Sequence, residues 1–195
     1  VKDDAARRLA AAEGVGDRIT FVEGDAHALD FPGGSFAAVV GHTLISHVAD
    51  PLQVLREAAR VVRPGGTVAI FDGDYASLTF GCADAGLGRA MDEALLRVIV
   101  SQPRVMRDLP RLLPAAGLRL RSVRAHVHVN VGAGDFFLGL AETFAPLVAG
   151  AGLLTAAQVE AWLAEQRRTA EQGTFFAACT YYAYLAHRPA TDAER

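Results

Sequence analysis

Apolar residues along this chain follow two rhythms. Short runs without polar alternation lie at Arg18–Glu23, Phe36–Gly41 and Gly66–Asp72, each bounded by glycine or turn residues. Longer segments with apolar positions three and four apart alternate with them. Asp3–Glu13 ends at Gly14 and predicts a surface helix, with Ala and Leu on one side and Arg7 and Arg8 on another. Asp50–Arg63 predicts a second, with Leu52, Leu55, Ala58, Ala59 and Val62 at helical spacing. Asp50 is placed to cap it, Pro51 suits its first turn, and Gln53 sits close to where a capping box needs it. Unalternating strands are buried on both faces, as a parallel sheet between helix layers requires. The order predicts right-handed crossovers and an open α/β sheet. Ligands of such sheets gather at the carboxyl ends of the strands. Those ends carry Asp25, His42, Thr43, Asp72 and Asp74.

Beyond Asp72 the pattern loosens. Gly73–Gly86 reads as a loop, and His42–Val48 as a helical turn. Helices are predicted over Leu87–Val100, over Pro103–Ala116 with an interruption at Pro110, over Asp135–Ala149 and over Thr155–Gln172, the last opened by a Thr155…Gln158 capping box. Strands are predicted over Leu118–Val131 and Thr174–His187. His126 and His128 share a face of the first of these. That spacing suits a metal, but no third ligand is visible, so both read as hydrogen-bonded or surface histidines and no metal is expected.

Composition narrows the possibilities. The chain has 195 residues, 51% hydrophobic and 21% charged, which is enough for one domain with a core. A net charge of -3 without a basic block argues against nucleic acid. No apolar run reaches the ~18 residues of a membrane span. Lys2 is the single lysine, which removes P-loop, Schiff-base and Tyr-x-x-x-Lys chemistry. Cys82 and Cys179 match no metal or redox spacing, so a reducing cytoplasm is the expected location. No Gly-x-Ser-x-Gly occurs, so a serine hydrolase is disfavoured.

Four pieces in order carry a resemblance: Val22-Glu23-Gly24-Asp25-Ala26, Leu29-Asp30-Phe31-Pro32-Gly33-Gly34-Ser35-Phe36, His47-Val48-Ala49-Asp50-Pro51 and Arg63-Pro64-Gly65-Gly66-Thr67. The stretch is similar to the middle of class I S-adenosylmethionine-dependent methyltransferases, nearest the small-molecule branch with the ubiquinone and menaquinone enzymes. The resemblance implies a Rossmann-like α/β fold, mostly parallel with an antiparallel last strand, and S-adenosylmethionine as cofactor. In the family two strands, a Gly-x-Gly-x-Gly loop and an acidic residue precede the first helix, and this sequence holds none of them. The expectation is therefore a single truncated domain over 1–189 with a tail at 190–195. Such a chain alone would lack useful activity, and a homodimer is one way to repair its sheet.

The resemblance also implies roles for particular residues. Gly24, Asp25 and Ala26 would hold the adenine, with Asp25 accepting from its amino group. Gly41, His42 and Thr43 would line the sulfonium and ribose side, with His47 near the site. The acceptor would meet Asp74 and Tyr75. The two predicted helices at 132–173 make an insertion too long for a hairpin loop. They would form a lid or substrate wall, with Phe136 and Phe137 facing the acceptor. Any catalytic base would be His42, Asp72 or Asp74, although donor chemistry of this kind mainly needs alignment and desolvation. The function expected is methyl transfer to a small-molecule acceptor. The alternative is a non-catalytic Rossmann-like remnant that binds or regulates.

Overall fold

The computed structural model describes residues 2–190, so only Ala190 of the expected tail is seen. Its sheet has four strands in the order β1 (Phe36–His42), β2 (Val62–Phe80), β4 (Phe175–His187) and β3 (Arg119–Gly132). β1 and β2 are parallel, and β4 is antiparallel to both β2 and β3. Three strands thus share one direction and the last opposes them, as expected. Helices α1 (Lys2–Ala12), α2 (Pro51–Val61), α3 (Ala85–Ile99), α4 (Val105–Ala115), α5 (Asp135–Gly150) and α6 (Ala156–Glu171) complete the fold. None of them is long and apolar enough to cross a membrane.

Each sheet face has its own core. On one face α2 and α4 pack Leu55, Met106, Leu109 and Leu113 against Val68, Ile70, Tyr184 and Ala186. On the other, α3, α5 and α6 enclose Phe80, Phe137, Trp162 and Phe175. Local chemistry sets the helix starts. Asp50 Oδ1 accepts from the Gln53 amide at 3.0 Å and caps α2. The Gln53 side chain does not close a capping box; it donates to the His27 carbonyl at 3.0 Å and ties α2 to the preceding loop. The capping box expected at Thr155 and Gln158 does open α6. Gly66 is obligatory where α2 turns into β2: a Cβ there would lie 2.7 Å from Val62 Cγ2 and 2.8 Å from the Ala37 carbonyl oxygen.

The structure corrects four local expectations. Arg18–Glu23 is not a strand. Gly16–Arg18 forms a 3₁₀ turn, and the residues after it run mostly exposed with no strand paired beside them among the described residues. A strand is stabilised by its partner, and Phe21 meets Arg7 instead, which stacks on its ring and donates to its carbonyl. Gly73–Gly86 is not all loop, because β2 continues to Phe80. A bulge between Asp74 and Thr79 shifts the register, after which Thr79 and Phe80 pair with Ala178 and Ala177. Ser77 seals that bulge, donating to the Asp74 carbonyl at 2.7 Å and accepting from the Thr180 amide at 2.8 Å. His42 closes β1, and the residues after it form a single turn, with the His47 amide bonded to the Leu44 carbonyl. Finally, α4 runs unbroken through Pro110. Proline cannot donate to the carbonyl four residues back, here that of Met106. The buried Tyr184 hydroxyl donates to that carbonyl at 2.9 Å.

Two outcomes test this packing. Tyr184→Phe leaves the Met106 carbonyl buried and unpaired, and should lower unfolding free energy by about 1–2 kcal/mol in urea titration. Asp92 on α3 accepts from Thr79 Oγ1 at 2.8 Å and from the Phe80 amide, while burial raises its pKa to about 6. The native state then holds the proton more tightly than the unfolded chain. Asp92 therefore costs stability as pH rises from its ordinary 3.8 through about 6. Asp92→Asn should stabilise the protein by about 1–2 kcal/mol at pH 7, with the difference vanishing near pH 4.

Candidate functional site

The carboxyl end of β1 delivers the chain into a short loop, Gly41–Leu44, that touches three neighbouring recesses. His42 and Thr43 line the first, Gly41 and Leu44 the second, and Leu44 the third. Thr43 adopts φ 47, the only positive-φ residue other than glycine among the described residues. A β-branched side chain in this region is strained by about 1–3 kcal/mol. Two hydrogen bonds hold it there: its amide donates to the Phe71 carbonyl at 2.8 Å, and its hydroxyl to the His42 carbonyl at 2.9 Å.

The first recess is a hollow of about 290 Å³ lined by His42, Thr43, Phe71, His126, His128, Phe136 and Tyr181. Sheet register makes it. His42 is paired with Phe71, Gly73 with Tyr181, and Tyr181 with His126, so one row of rings crosses all four strands on one face. His42 and Phe71 stack with centroids 5.0 Å apart, and Phe71 and Tyr181 at 5.6 Å with planes 16° apart. Gly73 makes room for this row, since a Cβ there would lie 3.1 Å from Tyr75 and 3.3 Å from Tyr181. Burial pushes the Tyr181 phenol up to about 12, so it stays protonated at neutral pH. Phe136, from the first turn of α5, closes the hollow over β3.

The third recess is a groove of about 530 Å³ lined by Gly24, Ala26, Leu29, Leu44 and neighbours. Asp25 stands beside it with a 68% exposed side chain. Its Oδ1 accepts from the His27 amide at 2.9 Å and meets His27 Nδ1 at 2.7 Å, which forms an Asx turn. The His27 backbone bond, then its side chain, hold the carboxyl below its usual range, so it is ionised at neutral pH.

Other candidates from the sequence lie elsewhere. Asp72 is fully buried; its Oδ2 accepts from the Ser46 amide at 3.0 Å and its Oδ1 from the Gly73 amide at 2.8 Å. Asp74 is buried and paired with Arg107 at 2.7 Å, joining β2 to α4. Neither aspartate lines the hollow, and as anchored carboxylates neither is placed to act as its base. Tyr75 is buried in the core with burial raising its phenol pKa, and meets His47 edge-on at 6.3 Å. Phe137 is wholly buried against Phe80, behind Phe136 rather than beside it in the hollow. Phe71, Tyr181 and the cavity position of His126 and His128 escaped the sequence reading. The period-two face of β3 was visible, but its partners depend on strand order. No group of three His, Cys, Asp or Glu among the described residues is placed to hold a metal.

Comparison with known proteins bears on the first part of the chain most directly. Residues 2–70 match the family model described as a methyltransferase domain. A 37.1 kDa protein of transposon TN4556 from Streptomyces fradiae is 35% identical over 165 residues, which is 84% of this chain and 46% of that protein. The ubiquinone/menaquinone biosynthesis C-methyltransferase UbiE of Hahella chejuensis is 44% identical over 59 residues, 30% of this chain and 24% of that one. Geranyl diphosphate C-methyltransferase from Streptomyces coelicolor, solved with Mg2+, geranyl diphosphate and S-adenosyl-L-homocysteine, has the same fold. It superposes with a TM-score of 0.51 at 14% identity, over 95% of this chain and 59% of that chain. The chain spans less than half the length of the curated relatives described here.

The strain at Thr43 is testable. Asparagine tolerates positive φ, so Thr43→Asn should raise unfolding free energy by about 0.5–1 kcal/mol. Thr43→Val keeps the branching, loses the hydroxyl bond to His42, and should lower the urea midpoint.

Proposed function

We propose that the chain is a class I S-adenosylmethionine-dependent methyltransferase, a reading supported by the methyltransferase-domain match over residues 2–70 and by the likeness to UbiE, and that it takes part in methyl transfer from S-adenosylmethionine to a small-molecule acceptor. The observation that carries this reading is the Gly41–Leu44 loop, one strained segment that touches both the groove beside Asp25 and the aromatic hollow. A donor in the groove and an acceptor in the hollow would meet at that loop.

The residues present suit the cofactor. Asp25 is ionised and exposed, and its Oδ2 makes no hydrogen bond to protein among the described residues, so it can accept from an exocyclic amine. Gly24 leaves open space where a side chain would stand, which lets a flat base approach the backbone. Gly41, His42 and Thr43 would hold the ribose and sulfonium side, with His47 behind them. When bound, the cofactor supplies an activated methyl group on a leaving sulfur. The protein's part is then to align the acceptor and exclude water. Phe136 and the helices that follow would act as the wall over the acceptor. The free thiols of Cys82 and Cys179 suit a reducing cytoplasm, where we place the reaction.

Isothermal titration with S-adenosylhomocysteine, followed by an acceptor screen with isotopically labelled methyl donor, tests the reading. Absence of both binding and transfer would sink it. Asp25→Ala should weaken S-adenosylhomocysteine binding by about tenfold, the effect of one charge-assisted hydrogen bond, with the thermal midpoint little changed.

A further inference from the structure

The hollow contains more chemistry than an apolar wall requires. Three imidazoles, those of His42, His126 and His128, reach it from opposite edges of the sheet. His42 Nδ1 lies 3.3 Å from Thr43 Oγ1. His126 and His128 make no hydrogen bond to protein among the described residues. His128 is the better fixed of the two. It is half-buried, with ring contacts to Phe136 at 5.2 Å, Phe137 at 5.2 Å and Tyr181 at 6.3 Å. An imidazole held among three aromatic rings has its orientation set by packing, and its nitrogens are left for whatever enters the hollow.

We propose that this hollow takes a planar aromatic acceptor of one or two rings bearing a hydroxyl, with its apolar body against Phe71, Tyr181 and Phe136 and its O–H donated to His128. Size and lining both select this class. A hollow of about 290 Å³ lies at the small end of ligand pockets. Its walls are rings, which favour stacked or edge-on contact with another ring. No arginine or carboxylate lines it, so it holds no fixed charge to pair with a phosphate or an ammonium group. A neutral imidazole accepts the hydrogen of a phenol well. His128 stands on β3 and the Gly41–Leu44 loop follows β1, at opposite edges of the sheet, so the hydroxyl held by His128 anchors the acceptor while another of its atoms faces the loop.

This inference rests on the methyltransferase reading for calling the ligand an acceptor, but not for the binding. The probe is 2-naphthol, titrated into the full chain beside 2-methoxynaphthalene, which has the same rings and no hydroxyl to donate. The expected result is about tenfold preference for 2-naphthol. His128→Phe should keep the packing and abolish the preference. His128→Gln, which restores an acceptor oxygen, should recover part of it. Circular dichroism of both variants guards against a folding defect. Equal affinity for the two probes, or an unchanged preference in His128→Phe, overturns the proposal. Parallel titration with S-adenosylhomocysteine separates the two readings. A chain that prefers 2-naphthol but ignores S-adenosylhomocysteine keeps the aromatic site and loses the methyltransferase role. The opposite pattern keeps the enzyme and discards this acceptor class.

Discussion

The buried Asp72 carboxylate is the contact on which the site depends. It lies in β2 one residue beyond the last pairing with β1 and directs both oxygens to backbone amides, those of Ser46 and Gly73. The Ser46 bond is the longer reach. It draws the turn after β1 down onto β2, and so fixes the distance over which Gly41–Leu44 must close. Thr43 then has little choice of backbone conformation, and its amide bond to the Phe71 carbonyl completes the constraint. A carboxylate with this little exposure must be hydrogen-bonded, because its desolvation is otherwise too costly. The acid inside β2 thus acts on the site by shaping the loop.

Two residues further, Asp74 does similar work in another direction. Its pairing with Arg107 joins β2 to α4. The Tyr184 hydroxyl joins α4 to β4 through the Met106 carbonyl. Both links bring polar groups into a largely apolar layer and join residues far apart in sequence, and Arg107 reaches Asp74 through Oδ2 alone. Together they hold the proline-containing helix against the sheet face opposite the aromatic row.

Much of this architecture was legible in the sequence because it rests on local chemistry. Asp50 and Thr155 announce helix starts through bonds that span three residues, and Pro64-Gly65-Gly66 announces a turn through its composition. Phe36–Gly41 and Gly66–Asp72 read as strands because they are apolar without interruption. Reading failed where the answer was non-local. Arg18–Glu23 has strand composition, but composition supplies no partner. Gly73–Phe80 has loop composition, and Ser77 turns it into a bulged strand through a bond to Thr180, roughly a hundred residues on. Pro110 signals a break that a distant tyrosine repairs. The site divides the same way. His42 and Thr43 were readable as the end of a strand, whereas Phe71, Tyr181 and His128 become neighbours only once the strand order is known.

That order has a consequence for how the molecule comes into being. Among the described residues β4 is the latest strand, yet it lies between β2 and β3. Until it is synthesised, the edge of β2 that it covers stays open, and β3 lacks the strand it pairs with. The final strand must therefore insert between two waiting edges and complete both ladders at once. Tyr181 and Tyr184 travel with it, so the aromatic row and the repair of α4 arrive in the same event. A nascent chain carries these β-strand edges in the open until Phe175–His187 emerges, and this interval is when a chaperone or a neighbouring copy would find it.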